Sequence, residues 1–287
     1  MSSPLTLLEV IQKTTDFFAA RGMESTRLNA ELLIGHALGL KRMQLYLQFE
    51  RVLAEADLEK IRPLVKRRSQ REPLQYIIGE VEWSGVRLKV DRRALIPRPE
   101  TEFLIELITT RLETAPLRIL DLGTGTGAIA FALAKRYENA AVTAVDASDD
   151  ALALAAENNK TLELTDRVSL LRSNWYEAIE ASESYDLIVS NPPYLTAEET
   201  AAAEPEVRTH EPVSALTAAD EGLADLRVII GGAGQFLKPG GLLALETGIA
   251  QHAELVRLLT IAGFVSIESC KDLTERDRFV FAKKPAA

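Results

Sequence analysis

Apolar side chains recur every three or four positions from residue 5 to residue 75, whereas from Leu117 onward short strand-like runs alternate with helical ones. The chain therefore changes its hydrophobic period partway along. In the first stretch, LTLLEVIQKTTDFFAARG reads as a helix closed by Gly22, and RLNAELLIGHALGL as a second. QLYLQFERVL and DLEKIRPLVKRRSQ predict two more, with Pro63 kinking the last or marking its first turn. Together these make a small all-α bundle. Between 76 and 96, YIIGEVEWSGVRLKVDRRALI alternates about a Ser84-Gly85 turn, which predicts a β-hairpin joining two domains. RILDLG, AAVTAVD, VSLLRS and YDLIVS then read as strands separated by the helical IAFALAKR and DDALALAAENNK, the pattern of a doubly wound α/β sheet. GLLALE and the amphipathic AELVRLLTIAG follow, and FVSIESC with FVFAKK predicts a final antiparallel pair; AEETAAAEPE, 197–206, reads as a loop or short helix. The expected organisation is a helical domain over 1–75, a hairpin linker over 76–100 and an α/β domain over 101–287.

Composition narrows the class. Of the 287 residues, 47% are hydrophobic and 26% charged, an ordinary globular balance with no apolar stretch long enough to span a bilayer. The first residues lack a basic flank followed by a continuous apolar core, so a cytosolic protein without a signal peptide is expected. The single cysteine, Cys270, excludes an internal disulfide framework, and His36, His210 and His252 lie too far apart for a local metal motif, so no metal is expected. A net charge of −9 argues against affinity built on neutralising many phosphates. The densest basic run, KRRSQR at 66–71, reads as the solvated end of a helix.

The candidate chemistry starts at DLGTGTG, residues 121–127, between a predicted strand and a predicted helix. Glycines there let a ligand approach the backbone, and the helix start offers free amides. The lysine of a phosphate-cradling loop is missing, while Gly123, Gly125 and Ala128 also fit a loose dinucleotide spacing. This loop alone leaves NAD and S-adenosylmethionine open. Asp146 ends the next strand, where a carboxylate accepts from both ribose hydroxyls of an adenosine cofactor. Asn174 and Trp175 follow the third strand, positioned for the edge and the face of an adenine, and Asp121 is placed to anchor the loop or meet an amino acid ammonium.

NPPY at 191–194 resolves the cofactor in favour of methyl transfer. An amide or exocyclic amino nitrogen is a weak nucleophile because its lone pair is delocalised, so its orientation must be imposed; positioning supplies roughly 7–11 kcal/mol of such a barrier. The Asn191 side-chain oxygen and the Pro192 carbonyl each accept one N–H of an NH₂ group, Pro192 and Pro193 stiffen the backbone, and Tyr194 offers a ring to the planar group. Two substrate classes use this pattern: nucleobase amino groups and the glutamine side-chain amide. A protein that binds S-adenosylmethionine only as a regulator has no need of NPPY.

REPLQYIIGEVEWSGVRLKV, ALIPRPETE, ILDLGTGTGAIA, VSNPPY and LKPGGLLALETG occur in the order seen in the PrmC/HemK family, and the chain resembles these release-factor glutamine methyltransferases over essentially its whole length. The resemblance implies a helical domain that recognises the substrate protein, a hairpin linker and a Rossmann-like, seven-stranded class I methyltransferase domain. It implies methylation of the glutamine in the Gly-Gly-Gln motif of class I peptide-chain release factors, with S-adenosylhomocysteine as product. A cytoplasmic monomer that binds neither membrane nor nucleic acid directly is expected. Carried over by position, Gly123, Thr124, Gly125, Thr126, Gly127, Asp146, Asn174 and Trp175 bind S-adenosylmethionine, and Asn191, Pro192, Pro193 and Tyr194 hold the glutamine, Asn191 also bordering the cofactor. Where the family often has Asp before the Trp, this chain has Asn174, whose amide oxygen must then meet the adenine amino group. Relatives acting on a ribosomal protein or on adenine in nucleic acid share NPPY and stand as the alternatives. Arg98, Glu100 and Glu246 receive no role from the sequence.

Overall fold

The computed structural model describes residues 5–286, so residues 1–4 and 287, which belong to the expected first and last domains, lie outside the described residues. Contacts divide the chain into two compact units. The smaller comprises residues up to Gly79 together with Pro205–His210. Its helices are α1 (Leu7–Ala19), α2 (Thr26–Leu38), α3 (Arg42–Tyr46), α4 (Glu55–Ser69) and α5 (Leu74–Ile78). Thr6 caps α1 in a reciprocal box with Glu9, and Gly39 closes α2 in the left-handed conformation. Leu7, Ile11, Phe18, Leu33, Ile34 and Leu45 form the fully buried centre of this unit's own core.

Two expectations change here. QLYLQFERVL does not form a helix throughout: α3 stops at Tyr46, Leu47 is 84% exposed, and Val52 bridges Thr6 in antiparallel fashion. The reason lies in α1, whose first amides have no partners within the helix. Leu7 N donates to the Arg51 carbonyl and Leu8 N to that of Phe49, so an extended segment satisfies what a helix could not. The basic run at the end of α4 is likewise not simply solvated. Arg68 is buried, donating from Nε to Asn29 Oδ1 at 2.7 Å and pairing with Glu206 at 2.9 Å. Glu206 lies in the short helix Pro205–His210 and also receives Arg71. These cations hold a distant part of the chain.

The larger unit opens with the hairpin β1 (Glu80–Trp83) and β2 (Val86–Lys89), followed by α6 (Pro99–Arg111). The β/α alternation runs β3 (Arg118–Leu122), α7 (Ala128–Arg136), β4 (Ala141–Asp146), α8 (Asp149–Thr161), β5 (Val168–Arg172) and β6 (Tyr185–Ser190). After β6 come α9 (Ala197–Ala202), the smaller unit's α10 (Pro205–His210) and a turn-like α11 (Ala219–Gly222), then α12 (Ala224–Phe236), β7 (Leu237–Glu246), α13 (His252–Ile261), β8 (Val265–Lys271) and β9 (Asp277–Lys283). The seven strands are ordered β5-β4-β3-β6-β7-β9-β8, all parallel except β9, which runs antiparallel to both neighbours. The predicted final antiparallel pair is therefore present.

Alternate residues of the central strands enter two cores. Ile119, Val142, Leu187, Leu242 and Phe281 pack on one face of the sheet, and Leu120, Val145, Ile188, Leu243 and Val280 on the other. That double burial explains why these strands read as continuous apolar runs. The hairpin contributes Trp83, Val86 and Leu88 to the first of these cores. The strand order reverses between β3 and β6, and such a switch point opens a crevice at the carboxyl ends of the strands.

Candidate active site

At that crevice the larger unit has a cavity of about 440 Å³. Gly123 and Gly125 from the loop after β3, Asp146 at the end of β4, Asn174 and Trp175 after β5, and Asn191 and Pro193 after β6 line it. Thus four successive strand ends deliver these seven of the residues singled out by sequence to one place. Asp121, Thr124, Thr126, Gly127, Pro192 and Tyr194 are not in its lining.

The loop between β3 and α7 is held from beneath. The amides of Gly123 and Thr124 both donate to the Val145 carbonyl at 2.9 Å, and Gly125 N donates to Asp146 Oδ2 at 2.9 Å. Gly127 is the N-cap of α7 with φ of 85°, and a Cβ there would lie 2.0 Å from the buried Phe131 ring, so packing demands glycine. Thr126 is buried, and its carbonyl accepts from Asn158 Nδ2 at 3.0 Å. Asp146 also receives Ser148 N on Oδ1 at 2.9 Å; each carboxylate oxygen retains capacity to accept a further donor. Burial pushes the Asp146 carboxyl up against these amide bonds.

Asp121 is fully buried, with Thr124 Oγ1 donating to Oδ2 at 2.6 Å and Oδ1 left without a partner among the described residues. Burial pushes its carboxyl up to about 7, opposed by the Thr124 bond. The folded value therefore exceeds the unfolded one, so this group's contribution to the stability of the ligand-free protein falls as pH rises from about 4 to about 7 and is constant above that. The whole shift is worth on the order of 4 kcal/mol. Asp121→Asn should remove this contribution: between pH 5 and pH 8 the ligand-free variant should lose less stability to denaturation than the wild type does. Parallel wild-type and variant profiles would refute the assignment.

Trp175 adopts φ of 52°, and its Nε1 donates to Asp225 Oδ1 at 3.2 Å. A Cβ on Gly123 would meet the Trp175 ring at 3.4 Å, which shows how closely loop and indole approach. Asn174 Nδ2 donates to Glu177 Oε1 at 2.8 Å, which turns its amide oxygen toward other uses. Asp225 also lines the cavity, and nothing in the sequence pointed to it.

NPPY leaves β6 at Ser190, whose hydroxyl donates to the Leu122 carbonyl at 2.7 Å and locks β6 to β3. Asn191 Nδ2 donates to Thr101 Oγ1 at 3.1 Å, and Thr101 in turn donates to Glu246 Oε2 at 2.6 Å. Pro192 is buried, while Tyr194 points its hydroxyl to Glu246 Oε1 at 3.1 Å and accepts from Arg278 Nη1 at 3.2 Å. Burial raises both the Tyr194 phenol and the Glu246 carboxyl, the latter opposed by the Thr101 and Tyr194 bonds and by the Arg278 charge. The Tyr194 carbonyl accepts from Gln251 Nε2 at 3.0 Å. Of the unassigned residues, Arg98 occupies the N-cap position of α6 and pairs with buried Glu211 at 2.9 Å, and Glu100 stands 3.9 Å from Arg276. Thr101 sits within PRPETE, so sequence flagged its segment but not its function.

Two family models match the chain: the PrmC N-terminal domain over residues 9–79 and the methyltransferase small domain over residues 99–209. A release factor glutamine methyltransferase of Salmonella typhimurium is 41% identical over 258 residues, covering 90% of this chain and 92% of its own. One from Geobacter sulfurreducens is 39% identical over 275 residues, covering 96% and 95%. Among solved structures, a methyltransferase from Pyrococcus furiosus superposes with a TM-score of 0.53 at 19% identity over 70% of this chain and 90% of that one, a likeness of fold. With such identity maintained over nearly the full length of both chains, this protein belongs to the release factor glutamine methyltransferase family.

Proposed function

We propose that the chain transfers the methyl group of S-adenosylmethionine to the side-chain amide nitrogen of the glutamine in the Gly-Gly-Gln motif of class I release factors, leaving S-adenosylhomocysteine. The observation that carries this reading is the Asn191 amide at the cavity wall, its nitrogen engaged by Thr101 and its oxygen therefore the group offered to a substrate. An acceptor there suits an NH₂ nucleophile, and the full-length relatives favour glutamine over a nucleobase.

The residues present fit the cofactor. Asp146 offers carboxylate oxygens to ribose hydroxyls, Trp175 a ring to adenine, and Asn174 an amide oxygen to the adenine amino group. Asp121, buried with an unpartnered oxygen, suits a cationic ammonium, and Gly123 and Gly125 leave the backbone open beside it. When bound, the sulfonium supplies an electrophilic methyl group. The protein's own residues do the rest: the Asn191 oxygen and the Pro192 carbonyl accept the two N–H bonds and fix the amide plane, and both favour positive charge developing on nitrogen. Each such bond contributes about 1–3 kcal/mol. Pro192 and Pro193 hold that acceptor geometry before substrate arrives.

Among the described residues no helix is long and apolar enough to cross a membrane. We take the protein to work in the cytoplasm as a monomer, its helical unit contacting the release factor without direct nucleic-acid binding. Purified protein given labelled S-adenosylmethionine should label a class I release factor and leave ribosomal RNA, ribosomal proteins and DNA unlabelled. Labelling of any of those instead would move the reading to that substrate.

A further inference from the structure

We propose that Glu246 and Thr101 are positioning residues for methyl transfer, a relay that fixes which end of the Asn191 amide faces the substrate. This rests on the substrate reading above, because only a substrate NH₂ needs an oxygen at that point. The two come from separate elements, Thr101 from the first turn of α6 and Glu246 from the last residue of β7. Both are almost completely buried, Thr101 at 3% and Glu246 at 1% exposure, so water does not compete for their bonds.

The direction of the hydrogen bonds decides the matter. A threonine hydroxyl has one proton, and the Glu246 carboxylate takes it at 2.6 Å. Thr101 Oγ1 then has only lone pairs to offer, so its second partner must be a donor: the nitrogen of Asn191, not the oxygen. Every bond in the series points toward the buried anion. That orientation presents Asn191 Oδ1 to the cavity, and the aligned dipoles place additional electron density on it. The other carboxylate oxygen receives Tyr194 OH, so one anion anchors both polar ends of NPPY. Without the carboxylate, the Thr101 hydroxyl is free to turn its proton to Asn191, and an amide with nitrogen facing the cleft would repel a substrate NH₂.

The charged groups facing Glu246 are Arg278 of β9, which favours the anion, and Glu100 of α6, which opposes it; the Tyr194 phenol donates from the loop after β6. Protonation of Glu246 would reverse the donor order, so activity through this relay is retained at higher pH and lost on the acid side.

Thr101→Val keeps the shape and removes the hydroxyl. With a class I release factor as substrate, kcat should fall roughly 10- to 100-fold while KM for both substrates and cofactor affinity by calorimetry stay within about threefold. Thr101→Ser should recover most of the loss. Glu246→Gln, which accepts through a single oxygen, should be slow at every pH and lack the acid limb of the wild-type kcat profile. Wild-type kcat in Thr101→Val, or an unchanged acid limb in Glu246→Gln, would overturn the relay. A wild-type protein inactive on release factors but active on another NH₂ substrate would refute the substrate reading; the same variants measured on that substrate would still decide the relay.

Discussion

Asn191→Ala should reduce kcat for methylation of a release factor by roughly 100- to 1,000-fold, the range found when a preorganised polar group aimed at developing charge is removed. Among the described residues the side chain makes a single hydrogen bond, to Thr101, and that bond orients it without contributing to the core. Truncation therefore leaves Thr101 hydrogen-bonded to Glu246 and the fold intact, while the substrate NH₂ loses one of its two acceptors and rotates out of line. Cofactor affinity should change by less than about tenfold, since Asp146, Trp175 and the Gly123–Gly127 loop remain. Comparison of kcat with calorimetric cofactor binding separates the two jobs. A near wild-type kcat would show that Asn191 does not hold the reacting nitrogen.

Gly222→Ala should damage the same site from a residue outside every motif. Gly222 has φ of 80°, and a Cβ there would lie 2.1 Å from the Tyr194 carbonyl oxygen and 2.5 Å from Gln251 Nε2. The Tyr194 obstacle is backbone, which cannot rotate away. Relief requires moving the NPPY chain itself and breaking the Gln251 bond to it. Left-handed strain and overpacking together should cost about 2–4 kcal/mol. The accompanying loss of kcat should be at least roughly tenfold, because Tyr194 and Asn191 share one short loop. Gly240→Ala is the control: φ is 75° but nothing lies within 4 Å of the added carbon. It should show the backbone strain with little loss of rate. Equal effects of the two substitutions on kcat would mean that the close approach to Tyr194 has no functional weight.

These two residues mark what sequence conveys and what it withholds. Asn191 was legible because its signal is local: prolines, an amide and a ring at a strand end admit few other purposes. The strand ends themselves were legible for the same reason, each being a β-branched or leucine-rich run closed by glycine, aspartate or asparagine. Gly222 was silent because its constraint comes from a carbonyl 28 positions earlier (222 − 194) that only the fold brings close. The pairing of Thr101 with Glu246 was silent likewise: they meet across 145 positions through a hydrogen bond with no sequence period. QLYLQFERVL misled because tertiary demand for carbonyls at the start of α1 overrode helical spacing. In KRRSQR, exposed charge was inferred from composition, yet Arg68 is buried and finds partners in Asn29 and Glu206.

The central claim is that the methyl group arrives on one amide nitrogen. The most direct measurement is mass spectrometry of a class I release factor after incubation with the protein and S-adenosylmethionine, with fragmentation across the Gly-Gly-Gln peptide. One methyl group on the glutamine side chain is the expected result, absent from a release factor whose glutamine is replaced. Methylation persisting on the replaced substrate, or located on any other residue, would contradict it.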